Sequence, residues 1–121
     1  MPAEADVTFD TNGTLTPGLA HAPGTVAIFV LTPGDYRAHF IVSTFDPAQF
    51  ALFKNGVLVP GAIYGSGAGT QQLSGMVIFT AGLGDILSLR NHTSTSTALL
   101  QSLAGGSQTN TNAAIILEKL N

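Results

Sequence analysis

Three histidines, one serine in a glycine-rich run and two aspartates that follow glycines are the residues of this chain whose type and spacing could support chemistry. His21, His39 and His92 show no pair at i and i+4, and no cysteine accompanies them, so they lack the spacing of a metal site. They read as packed or surface side chains. Ser66 lies in the run GSGAG (Gly65 to Gly69), without the strand-turn-helix setting of a nucleophile elbow and without the lysine and helix of a phosphate cradle. A flexible loop fits that run better. Asp35 and Asp85 stand in PGDY and LGDI, each between a glycine and a strand-like run, where an aspartate caps a turn. The alternative for this pair is a shared loop that binds a hard cation. Asn12-Gly13-Thr14 and Asn91-His92-Thr93 match the N-glycosylation acceptor pattern, which is short enough to recur by chance. No nucleophile, base and orienting acid stand at suggestive positions, so a hydrolase is the weakest functional reading and no cofactor or metal is expected.

The elements that must position these residues are strands, because short runs rich in Val, Ile, Phe and Thr recur between Gly, Pro and Asn along the whole chain. Thr25 to Leu31 stops at Pro33-Gly34. Tyr36 to Thr44 follows with Tyr36, Ala38, Phe40 and Val42 on one face, and that alternation assigns the face to a core. Asp46-Pro47 turns the chain and Phe50 to Lys54 resumes a strand. Asn55-Gly56 then predicts a two-residue type I′ hairpin turn, since both positions tolerate positive φ. Val57 to Val59 is the return strand, and Met76 to Ala81, Ile86 to Arg90, Ala98 to Leu103 and Ala113 to Leu120 supply four more. Eight or so strands at this spacing predict an all-β sandwich or jelly roll. Thr93 to Thr97 and Ser107 to Asn112 read as polar loops. Residues 1–16, with a candidate short strand at Val7 to Phe9, are expected to lead into a single domain at 17–121.

Composition adds a prediction about assembly. Four Lys and Arg and seven Asp and Glu make 9% of the 121 residues, against 45% apolar. Ordinary domains carry roughly 25% charged residues. So little charge cannot cover a monomer's surface, and the chain is expected to hide part of it against copies of itself. Gly and Pro break every apolar stretch to strand length, well short of the roughly 18 residues of a spanning helix, so membrane insertion is not expected. The net charge of −3 and the scatter of Arg37, Lys54, Arg90 and Lys119 provide no basic stripe for nucleic acid. Met1 to Asp10 is acidic and polar, unlike a secretory signal, so on this reading the chain is mature or leaves the cell by another route.

Three segments taken together carry a resemblance: PGDYRAHFIVST (Pro33 to Thr44), FALFKNGVLVPG (Phe50 to Gly61) and AAIILEKLN (Ala113 to Asn121). They resemble the carboxy-terminal head of BclA-like bacterial collagen-like proteins of the spore surface, in which a glycine-aromatic-tyrosine opening, an asparagine-glycine hairpin ending in valine-proline-glycine and a final strand of alanine, isoleucines and glutamate-lysine recur. Asp35 stands where that pattern has an apolar or aromatic residue, and no Gly-X-Y repeat occurs within the 121 residues.

The resemblance implies a homotrimeric jelly roll of the complement-globular-head and tumour-necrosis-factor type, on the exosporium or another cell surface, capping or nucleating a collagen-like filament. In such folds the sheet holding the first, central and last strands faces the trimer axis. That places Arg37, His39 and Ile41, then Ile86, Ser88 and Arg90, then Ile116, Glu118 and Leu120 at the trimer interface, with an intersubunit ion pair joining Arg37 or Arg90 to Glu118. The rival reading is a binding module, lectin, adhesin or receptor ligand, that contacts surface glycans through Tyr64, Gln71, Gln72, Asn91, His92 and Asn110 in outer loops or intersubunit clefts.

Overall fold

A computed structural model describes residues 1–15, 17–67, 72–94, 97–103 and 105–120. Among them are eight strands and no helix: β1 (Leu19–Ala20), β2 (Ile28–Val30), β3 (Gly34–Ser43), β4 (Ala48–Lys54), β5 (Val57–Ser66), β6 (Gln72–Ala81), β7 (Ile86–Asn91) and β8 (Ala113–Lys119). They form two antiparallel sheets, one of five strands in the order β1-β2-β7-β4-β5 and one of three in the order β6-β3-β8. After β2 the chain crosses to the small sheet for β3, returns for β4 and β5, crosses for β6, returns for β7 and crosses last for β8. The molecule is therefore all-β, with the architecture of a β-sandwich.

The alternation in β3 sets the interior. Tyr36, Ala38, Phe40 and Val42 are buried as predicted, and they meet Phe50, Leu52, Leu87 and Leu89 from the opposing sheet. Each large side chain so enclosed contributes about 1.5–3 kcal/mol. Phe40 and Tyr64 of β5 meet edge to face, their ring centres 6.0 Å apart, directly over Gly75 of β6. A Cβ at Gly75 would come within 2.4 Å of the Tyr64 ring and 2.6 Å of the Phe40 ring, so only glycine leaves room for that packing.

The β4–β5 turn has φ of 54° at Asn55 and 78° at Gly56, the two positive values of a type I′ turn, and Lys54 pairs directly with Val57. The return strand does not stop at Val59. A bulge between the Ala51–Ile63 and Phe53–Leu58 pairs absorbs extra residues at Pro60-Gly61, where Gly61 has φ 79°, and β5 continues to Ser66. Ser66 thus ends a strand.

Ala98 to Leu103 is not a strand. Leu100 makes a single bridge to Thr44, flanked by bonds from Gln101 N–H to Ser43 O and from Phe45 N–H to Leu99 O, and pairing goes no further because the chain turns at Asp46-Pro47. The Thr25 to Leu31 run narrows to Ile28–Val30, and Leu19–Ala20 pairs with it as an edge. Residues 4–7 lie along β7 beyond the end of β2: Val7 N–H donates to Leu89 O, Asn91 N–H to Ala5 O and Glu4 N–H to Asn91 O. Val7 is buried with Phe40 and Phe50, so this segment closes one end of the sandwich.

Candidate functional site

The outer face of β6-β3-β8 is built by the same alternation that fills the core. Register aligns its side chains in rows across the three strands. Ser74, Ile41 and Ala114 form one row, Met76, His39 and Ile116 the next, then Ile78, Arg37 and Glu118, and last Thr80, Asp35 and Leu120. Met76, Ile78 and Ile116 are 58%, 66% and 63% exposed, a contiguous apolar surface that nothing in the chain covers among the described residues. Arg37, His39, Met76 and Ile116 line a shallow depression of about 180 Å³. Arg37 Nη2 lies 2.9 Å from Glu118 Oε1, with both side chains about half exposed. The pair thus closes within one chain, between adjacent strands.

Six of the nine residues expected at an interface, Arg37, His39, Ile41, Ile116, Glu118 and Leu120, share this face. Ile86, Ser88 and Arg90 do not. They lie on β7 and point outward from the five-stranded sheet, across a core that separates sheet faces by about 10 Å. Arg90 pairs with Asp6 rather than Glu118, its Nε 2.9 Å from Asp6 Oδ1, and its guanidinium lies 4.1 Å above the Phe53 ring. Beside it, His92 Nδ1 is 2.8 Å from Glu4 Oε1, and the Thr93 N–H donates to the same carboxylate at 3.0 Å. That N–H first, and then His92, hold the Glu4 carboxyl below its ordinary value of 4.5. The Asp6 contact joins residues far apart in sequence and left no local signal.

Two apolar residues of the bare face, Met76 and Ile78, were missed by sequence pattern. The run Met76 to Phe79 is apolar on both sides of the strand, so a period of two cannot tell the inner from the outer set. The depression around His39 was likewise invisible before β6 and β8 were placed beside β3.

The predicted ligand loops scatter. Tyr64 belongs to β5, where its hydroxyl donates to Met76 O at 2.7 Å and its ring packs on Phe40. Gln72 is exposed at the start of β6, and Gln71 lies outside the described residues. Asn91 is fully buried; its Nδ2 donates to Met1 O and Pro2 O and its Oδ1 accepts from the Ser94 hydroxyl, so it cannot touch a ligand or receive a glycan. His92 is engaged by Glu4, and Asn110 Nδ2 donates to Gln101 O and Thr111 O. Asp85 caps its turn: Oδ2 accepts the Gly82 N–H and Oδ1 accepts from Asn55 Nδ2, which together hold the carboxyl below its ordinary 3.8. Asp35 Oδ1 accepts from the Thr80 hydroxyl across β3–β6. No group of three or more His, Asp or Glu side chains gathers among the described residues.

No protein-family model matches the chain, and no curated protein matches it closely enough to indicate common descent.

Proposed function

We propose that this domain is a self-associating, non-enzymatic head module, a homotrimeric jelly roll that uses the outer face of β6-β3-β8 as its interface. One observation carries this reading: Met76, Ile78 and Ile116 form a bare apolar row system centred on His39, in a chain with little charge to keep such a surface wet. The strand order β1-β2-β7-β4-β5 facing β6-β3-β8, with repeated crossings between sheets, agrees with jelly-roll connectivity. A stoichiometry of three, a surface location and a collagen-like filament on the same chain follow from the resemblance to BclA-like heads. Non-enzymatic use fits the side chains that could do chemistry, since His21 and His92 are occupied by Asn12 and Glu4 and the aspartates by turn and strand donors. Burying the Arg37–Glu118 pair under a neighbour would fix register more than it adds stability.

Light scattering tests the reading. A mass three times that of the chain, with a melting temperature that falls on dilution, is the expected result. A monomer at micromolar concentration overturns it. The binding-module reading is favoured by a separate feature, the groove beside β8, and a glycan array distinguishes sugar recognition there or in the loops from a purely structural role.

A further inference from the structure

We propose that the Ala113 to Leu117 edge of β8 and the groove beside it bind an extended peptide, which adds to the three-stranded sheet as a fourth strand. Asn112 O accepts the Ser43 N–H and Leu120 N–H donates to Asp35 O, so the backbone groups of alternate residues between them point at β3. Those of Ala113, Ile115 and Leu117 therefore point away from it. Among the described residues no hydrogen bond reaches them. Neither proline nor charge protects this part of the edge, and an unprotected edge is a template for pairing with another chain.

The edge opens onto a groove of about 800 Å³, walled on its far side by Thr8 to Leu15. That volume lies in the range of ligand sites, roughly 300–1,000 Å³. The inner side chains of β8, Ile115 and Leu117, are only partly buried and face the groove with Leu19 and Ile28. A docked strand would place every second side chain against this apolar floor. Asp10 is the one acidic side chain of the lining, which contains no Lys or Arg, so the occupant is neutral or basic. The three outward residues recur every ~6.8 Å and match a strand of about five residues. Ile116 borders both the groove and the outer face, but the groove's floor is formed by the inner side chains Ile115 and Leu117 and its bonding groups by the edge, so the site does not rest on the self-association reading.

The probe is a blocked, dye-labelled heptapeptide of sequence Thr-Val-Thr-Val-Lys-Val-Thr, compared with the same peptide N-methylated at alternate residues. In the free domain the amides of Ala113, Ile115 and Leu117 should exchange rapidly with solvent deuterium, and saturating peptide should slow them by about tenfold or more. N-methylation, and Leu117→Pro, which removes an outward N–H while keeping the bonds to β3, should each weaken binding by about tenfold. Because a proline variant can misfold, Asp10→Lys provides the second arm: it should weaken the lysine-bearing peptide severalfold with no change in melting temperature. The proposal is overturned if the three amides are already protected in the free domain. It also fails if the N-methylated peptide binds equally well, or if no binding occurs at millimolar peptide.

Discussion

The two outer faces of this sandwich are made of similar residues and treated differently. On the five-stranded side, Phe53 is buried at 5% exposure because Arg90 lies over its ring and His92 meets it edge to face, and both side chains are held by carboxylates from residues 4–6. On the three-stranded side, Met76, Ile78 and Ile116 have no such cover among the described residues, and the ion pair Arg37–Glu118 on that face leaves them exposed. The difference teaches that residues 4–6 cover only the Phe53 region of one face, whose Phe29 and Ile86 remain 41% and 39% exposed, whereas Met76, Ile78 and Ile116 stand 58–66% exposed in one patch, which is why we assign that patch to self-association.

The comparison breaks most directly at Ile78. Ile78→Glu should reduce the scattering mass from three chains to one, whereas Ile86→Glu on the five-stranded side should leave it unchanged; equal behaviour of the two variants removes the distinction between the faces. Gly75 comes next. Gly75→Ala forces a Cβ into the Tyr64 and Phe40 rings, and should cost about 1–3 kcal/mol as overpacking does. Because β6 must shift, Met76 and Ile78 move with it, so assembly should weaken together with the melting temperature. An undiminished melting point would show that the rings rearrange freely.

Gly56→Val strains a positive φ in the other sheet, at a cost of about 1–2 kcal/mol. Calorimetry should register the loss while light scattering still reports the full assembly, since this turn belongs to the five-stranded sheet and contributes no residue to the outer face of β6-β3-β8. A coupled loss of mass would mean that the sheets do not act separately.

The smallest effect is on acid sensitivity. The Glu4 carboxyl titrates below 4.5 in the folded chain, so its contribution is fully present above the unfolded value and is lost as pH falls through the lowered one. As pH falls below 4.5 and through the lowered value, the amide of Thr93 should therefore lose protection. Glu4→Gln should show weak protection at every pH; persistence of the acid transition in that variant would assign it to another group.

Sequence alone determined the strand content, the inner face of β3 and the Asn55-Gly56 turn, because alternation and positive-φ tolerance are local properties. From charge content it raised the expectation that some surface is hidden against other copies. Tertiary structure decided which side chains share each outer face. The outward residues of β3, β7 and β8 look alike in the chain, yet Arg90 finds Asp6 from eighty-four positions away while Arg37 finds Glu118 on the neighbouring strand. Asn91 looked like a loop residue and became a buried hub holding the first two carbonyls of the chain, a contact across ninety positions. Ala98 to Leu103 has the composition of a strand, and the turn at Asp46-Pro47 limits its pairing to the one bridge at Thr44. Sheet pairing is a long-range choice, made by which edges remain free once the core is closed, and no window of neighbouring residues records it.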